Sequence, residues 1–259
     1  MPKTSDLGNF NKLKVLIYGE SGSGKTYTLS TAPKPLYILD LDNGVETLAG
    51  VPGITYDIFD HTSLGLPANA AWKRHATKLI NNVKAKIREL IKHCEYASVA
   101  LDSSTQFGDW LGYHLIGLNN RWNQDPMLRI QDYGTIAEEM ADLFMMMLQI
   151  DANIFITGHG RVVMDEEKGN ILHLPLMTGQ KFPQKVPMYF DEMYRTVVKV
   201  KPGTNRNEYL LQTQNDSKWS AKTRLNRYNE DTGKLEPILD KYEPSDLGAM
   251  IEKVKKARG

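Results

Sequence analysis

The chain has 259 residues, 41% hydrophobic and 24% charged, with 32 basic and 31 acidic residues and a formal net charge of +1. Such a chain can bury a real core in one large domain or two small ones, and it carries no global basic footprint for nucleic acid. The longest apolar run, residues 143–148, is far short of the roughly 20 residues of a membrane helix, and the amino terminus has no apolar signal core. The single cysteine, Cys94, cannot close an internal disulfide, so a membrane protein, a secreted disulfide scaffold and a disordered tail are all excluded, and a reducing cytoplasmic setting is expected.

Residues 14–18 form a β-branched apolar run before a glycine-rich turn, the pattern of a buried strand. Residues 35–40 and 54–59 read as second and third strands. A helix is predicted over 69–93, where Trp72, Ala76, Leu79, Val83, Ile87 and Leu90 recur at spacings of three and four, with Lys73, Lys84, Arg88 and Lys92 on the other face. Residues 97–101 read as a strand ending at Asp102. Residues 135–150 read as a helix with Ile136, Met140, Leu143 and Met147 inward, followed by a strand over 153–157. Strands alternating with helices predict an α/β fold, a mainly parallel sheet flanked by helices. Beyond Gly158 the texture changes: 161–164, 171–174, 193–201 and 208–214 read as strands of an antiparallel C-terminal extension of the same sheet. Ser245 is placed to cap a last amphipathic helix with Leu247, Met250, Ile251 and Val254 inward. The expected division is a core domain over 1–228 and a C-terminal tail with that short helix over 229–259.

Gly19-Glu20-Ser21-Gly22-Ser23-Gly24-Lys25-Thr26 fits G-x-x-x-x-G-K-[ST] in full. The glycines let the backbone curl so that successive N–H groups meet phosphate oxygens, and the following helix adds the positive end of its dipole. In such a loop the lysine, Lys25, reaches the β- and γ-phosphates and the Thr26 hydroxyl ligates Mg²⁺. Residues 19–26 and the next residue, Tyr27, are therefore the expected nucleotide-binding residues. A Mg²⁺-bound nucleotide needs a second carboxylate at the end of a neighbouring strand. Ser98-Val99-Ala100-Leu101-Asp102 supplies one in Walker B form, with Asp102 expected to hold Mg²⁺ through water.

The order of phosphate loop, second strand ending in an acid, and Leu101-Asp102-Ser103-Ser104 resembles the RecA-type ATPase core. Within it, Leu16-Ile17-Tyr18 and the loop that follows resemble the phage-encoded P-loop ATPases related to RecA and RadA, some of which assist single-strand annealing and recombination. The resemblance runs over residues 12–227. It implies a RecA-like P-loop core, ATP as cofactor, and a catalytic acid just past the second strand. Asp42, in Tyr37-Ile38-Leu39-Asp40-Leu41-Asp42, stands at that place with Asp where the pattern has Glu; Glu46 and a plain helix-capping role are the alternatives. It also implies a polar residue at the end of strand 154–157 that feels the γ-phosphate. His159 holds that place, with a structural histidine as the alternative. Lys222 and Arg224 match a Lys-x-Arg pair that relatives place on a late strand to reach a neighbouring subunit's γ-phosphate, although a solvated face fits them too. A finger acting in trans requires a homo-oligomer.

Residues 181–227 carry ten Lys/Arg against four Asp/Glu, and 72–92 carry seven against Glu89 alone. Runs of this kind are solvated faces or seats for an anionic partner. The resemblance implies single-stranded DNA, bound by loops before and after the sensor strand. These are residues 117–132, with Arg121, Trp122 and Arg129, and 160–187, with Arg161, Lys168, Lys181 and Lys185. A single-strand groove needs cations and flat groups on which bases stack. Trp122 beside Arg121, and Phe182 between Lys181 and Lys185, fit that pairing, with an ordinary surface loop as the alternative. Asp165-Glu166-Glu167 puts the tip of the second loop outside the groove. The resulting expectation is a DNA-stimulated, phage-encoded ATPase of recombination or repair in a bacterial cytoplasm, with a single-strand-binding protein as a further partner. A small-molecule P-loop kinase and a nucleotide switch or loader that recruits another protein are the rivals.

Overall fold

Runs that are apolar on both sides have no face to turn to water, and each becomes an interior strand. β1 (Lys14–Gly19) is buried beyond its first residue, and β2 (Leu36–Asp40) is buried throughout. β3 (Ile54–Ile58) is half exposed, as an edge strand is, and β4 (Ser98–Asp102) is again fully buried. The computed structural model describes residues 12–66, 71–164, 171–179, 182–216 and 218–258. Later strands are β5 (Asn153–Met164), β6 (Ile171–Pro175), β7 (Glu192–Val200), β8 (Asn207–Gln212), β9 (Asn226–Asn229), β10 (Lys234–Pro237) and β11 (Tyr242–Pro244). The main sheet runs β11-β8-β7-β1-β5-β4-β2-β3, with β6 paired to the far end of β5; β9 and β10 form a separate hairpin.

Two features of this order differ from expectation. β7, read as part of an antiparallel extension, is parallel to β1, and the antiparallel pairing begins only with β8 and β11. The acid-bearing strand β4 is not beside β1, because β5 lies between them and pairs with both. Pattern alone gives a strand its burial and not its neighbours.

Among the described residues six α-helices cover the sheet: α1 (Lys25–Leu29), α2 (Ala76–Lys92), α3 (Ser104–Leu118), α4 (Ile130–Gln149), α5 (Phe182–Lys185) and α6 (Leu247–Arg258). On one face Leu79, Val83, Trp110, Ile136 and Phe144 pack with Leu16, Leu39, Val99 and Ile156. On the other, Leu29, Leu247, Met250 and Ile251 pack with Val15, Ile17, Ile38 and Phe155. α6 buries the four residues expected of it, but its cap is the neighbour of the residue predicted: Asp246 accepts from the Ala249 N–H at 2.9 Å, while the Ser245 hydroxyl is buried without a partner among the described residues. α2 begins at Ala76 after a single 3₁₀ turn over Trp72–His75, and residues 67–70, which include the expected start, lie outside the described residues.

α3 has no counterpart in the sequence reading. Ser103 caps it by accepting from the Gln106 N–H, and Phe107, Trp110 and Leu111 enter the core. Gly108 and Gly112 weaken its local helix signal, yet both are contact points. A Cβ would stand 3.3 Å from Thr178 Oγ1 at the first and 3.4 Å from Leu128 Cδ1 at the second.

The turn from α3 into α4 is held by a buried ion pair. Arg121 is 3% exposed and donates to Asp132 Oδ2 at 2.8 Å and to the Met127 carbonyl at 2.8 Å. Arg121 therefore cannot be the DNA-facing cation expected of it. Phe182 is likewise a core residue, stacked on Phe144 with ring centres 6.4 Å apart. Removing one partner of a buried pair leaves an uncompensated charge, a loss of about 3–5 kcal/mol. Arg121→Ala should lower unfolding stability by that amount in a denaturant titration, whereas Arg88→Ala, at an exposed position of α2, should leave it within about 0.5 kcal/mol.

Candidate functional site

β1, β2 and β4 deliver their C-terminal ends to one edge of the sheet, where the middle of β5 passes beside them. Gly19 is opposite His159 in register, and Asp40 is opposite Asp102. The loop after β1 turns through Gly22 (φ +73°) and Gly24 (φ +85°), left-handed conformations that a side chain would strain. It enters α1, which is only five residues long, so the loop's own amides, more than a helix dipole, make it a seat for anions. Lys25 is 8% exposed and folds back on the loop, its Nζ donating to the Gly19 carbonyl at 3.1 Å and the Glu20 carbonyl at 2.8 Å. Burial lowers its pKa, against the pull of the Asp102 and Asp42 carboxylates.

Thr26 Oγ1 donates to Asp102 Oδ2 at 2.6 Å. The other carboxylate oxygen, Oδ1, accepts from the Thr157 hydroxyl. Asp102 is 3% exposed, and burial pushes its pKa up despite these two donors and the nearby Lys25 ammonium. Thr157 was not a site candidate. It is recognisable as one only once β5 is known to run beside β4.

Asp40 takes the capping role that was one alternative for Asp42. Its Oδ1 accepts from the N–H groups of Asp42 and Gly44, and its Oδ2 from that of Val45, at 3.0–3.2 Å. Asp42 is exposed, and its carboxylate makes no hydrogen bond among the described residues. A cleft of about 720 Å³ joins these groups. Ser21, Gly22, Gly24, Lys25, Thr26 and Tyr27 line it from the loop, and Asp42, Asp102 and His159 line it from the strand ends. Glu46 is exposed and does not line it. The cleft continues past Asp102 to Gln106, which is not among the expected site residues, and to an apolar wall of Trp72, Leu79 and Trp110. His159 is fixed there by its backbone, its N–H donating to Thr105 Oγ1 at 2.9 Å and its carbonyl accepting from Leu176 at 2.6 Å.

The remaining candidates lie elsewhere. Gly19, Glu20 and Ser23 belong to the loop but line a second, smaller cavity on its reverse side. Lys222 and Arg224 are on an irregular segment beside the first residues of β7, at the opposite end of the parallel strands from the loop. Lys222 Nζ donates to the Pro187 and Phe190 carbonyls at 2.8 and 2.7 Å, and Arg224 pairs with Asp191 at 2.6 Å. The structure does not bring them to the cleft of their own chain. Trp122 packs on Tyr113, while Arg161 donates to the Gly179 carbonyl at 2.8 Å; Arg129 and Lys185 are exposed. Lys168, Lys181 and the acidic residues 165–167 lie outside the described residues. In the basic stretch 72–92, Lys84 pairs with Glu139 and Lys86 with Asp57 and Glu89, so part of its charge is met within the chain.

A family model described as an AAA domain matches residues 11–225. The chain belongs to this AAA domain family. Its core is a mainly parallel sheet flanked by helices, with antiparallel strands near the C-terminal end. No curated protein matches it by sequence. Among solved structures it is similar to a KaiC-like protein from the hyperthermophilic archaeon Pyrococcus horikoshii OT3, at 13% identity over 81% of this chain and 82% of that one, with a TM-score of 0.41. No helix among the described residues of this AAA-domain chain is long and apolar enough to cross a membrane.

The buried carboxylate has a measurable consequence. Because burial raises its pKa, the folded chain holds the Asp102 proton to higher pH than the unfolded chain does, so its ionisation weighs against folding as pH rises. Asp102→Asn is expected to raise the melting temperature of the ligand-free protein at about pH 8, by about 2–4 °C for each kcal/mol relieved. The advantage should shrink as pH falls to about 4. Thermal melts across that range check it, and equal stability of the two chains at alkaline pH rejects the buried-charge account.

Proposed function

We propose that the protein binds ATP with Mg²⁺ in this cleft and hydrolyses it. One observation carries the reading: the Thr26 hydroxyl and the Asp102 carboxylate stand 2.6 Å apart beside Lys25, at the foot of an anion-binding loop. Both are hard oxygen donors of the kind Mg²⁺ prefers. Among the described residues no group of three His, Cys, Asp or Glu side chains could hold a metal alone, so the rest of the shell falls to phosphate and water. Thr26 and Asp102 would hold the Mg²⁺, which would supply positive charge against the charge that develops on the phosphates during transfer.

The chain's own residues divide the work. Lys25 leaves the Gly19 and Glu20 carbonyls for phosphate oxygens, and the loop amides hold the rest of the phosphate chain. Asp42, with a carboxylate free in the cleft, orients the attacking water. His159 donates to the phosphate and carries its state into β5 and the segment at Leu176. Arg224, 63% exposed and among the described residues paired only with exposed Asp191, is available to a neighbouring copy of the chain, with Lys222 beside it as the second member of the pair. Single-stranded DNA as stimulus, and phage recombination as setting, rest on the resemblance and on the exposed Arg129 and Lys185. A small-acceptor kinase is the second reading, favoured by the apolar wall beyond Asp102.

ATP turnover with and without single-stranded DNA tests these readings together. Wild type should release phosphate to solution, and Lys25→Ala should not. Asp42→Asn should lose about 10²-fold or more in kcat, as expected for a general base, while Glu46→Gln keeps it. DNA should raise the wild-type rate. Phosphate found on a small acceptor selects the kinase, and tight ATP binding without turnover selects a switch.

A further inference from the structure

The phosphate loop has a reverse side, and that side also faces a cavity. Gly19, Glu20 and Ser23 line a space of about 180 Å³ that is separate from the cleft. Arg161, His173, Arg195 and Trp219 close it. The Arg195 guanidinium lies 3.0 Å from the Trp219 ring centre, and the His173 ring stacks on the same indole at 3.3 Å. Below them the Tyr18 hydroxyl donates to the carbonyls of His173, at 3.1 Å, and Ser220, at 2.6 Å, pinning the segments that carry His173 and Trp219. The group is built and not a chance crowding of side chains.

Its charges are not balanced. Arg195 donates to Gln212 Oε1 at 3.1 Å and Arg161 to the Gly179 carbonyl at 2.8 Å, but among the described residues neither makes an ion pair. Both are half-buried. Among the described residues Glu20 is the one carboxylate lining the cavity. Asp216, the next acid, is taken by the Lys218 and Trp219 N–H groups and by Lys241. Half-buried guanidinium groups without a counter-charge are unfavourable, and their planar forks match the oxygens of a phosphate.

We propose that this cavity is a second anion site, which takes a phosphate group between Arg195 and Arg161 on the reverse of the nucleotide-binding loop. The phosphate is either free in solution or part of a nucleic-acid backbone. Its occupancy is linked to the cleft by two short paths. Thr196, next to Arg195, shares a 2.6 Å hydrogen bond with Ser23 of the loop, and Arg161 is two residues past His159 on β5. Phosphate on one side and nucleotide on the other act on the same loop.

The test uses the whole chain carrying Lys25→Ala, which removes the loop lysine from the measurement and makes the result independent of ATP hydrolysis. Calorimetric titrations with inorganic phosphate and, separately, with an oligothymidylate supply the two sources. At least one should bind. Arg195→Gln and Arg161→Gln should each weaken that binding by about tenfold or more, and Glu20→Gln should strengthen it. Arg195→Lys, which keeps the charge without the fork, should fall between wild type and Arg195→Gln, and it carries the test where Arg195→Gln does not fold. Binding of inorganic phosphate identifies a free-anion site, and binding of the oligonucleotide alone identifies a backbone phosphate. No binding of either probe, or binding indifferent to both arginine substitutions, overturns the proposal.

Discussion

The carboxylate of Asp102, buried between the hydroxyls of Thr26 and Thr157, is the joint on which the cleft depends. It ties the end of β4 to the first turn of α1 and to β5. A buried carboxylate is tolerable only when its lone pairs are met. Two hydroxyls meet them here without adding charge, so the acid stays available for a cation. Lys25 is arranged by the same logic. Its ammonium is satisfied by the loop's own carbonyls, at the cost of a lowered pKa, until phosphate offers stronger acceptors. Under the proposed function, nucleotide binding is an exchange of partners within a formed site, which asks for little rearrangement of backbone.

Strand order gives this joint its geometry. Because β5 lies between β1 and β4, its middle supplies two neighbours at once: Thr157 to Asp102 on one side and His159 opposite Gly19 on the other. A direct β1–β4 pairing would leave neither residue a place. Likewise β2, on the far side of β4, sets Asp40 level with Asp102, and Asp40 spends its oxygens on the turn that presents Asp42. The acid that ends the strand therefore shapes the loop, and the acid two residues later faces the cleft.

Those features that depend on local pattern were readable from the sequence. The phosphate loop, Asp102, the amphipathic faces of α2, α4 and α6, and the buried runs of β1, β2 and β4 all announce themselves by spacing. What could not be read depends on partners distant in the chain. α3 was missed because its glycines speak against a helix locally, while their purpose, close contact with Thr178 and Leu128, is tertiary. Arg121 and Phe182 looked like a cation and a stacking ring on loops, but nothing local says that Asp132 and Phe144 await them inside. Ser245 and Asp246 are both good cap types, and type alone does not say that Asp246 is the one that accepts from Ala249. The direction of β7 is invisible to any periodicity.

The glycines of the loop motif show how one sequence pattern can serve unrelated physical needs. Gly22 and Gly24 are required by backbone conformation on the side facing the cleft. Gly19 is required by crowding on the other side, where a Cβ would stand 1.9 Å from Thr196 Oγ1. That crowding is the mark of a loop packed tightly against β7, and the Ser23–Thr196 hydrogen bond is its polar counterpart. A loop held this closely cannot shift without moving β7, and β7 carries Arg195. The rigidity that keeps the amides aimed at phosphate in the cleft is thus the same rigidity that would transmit whatever binds behind it.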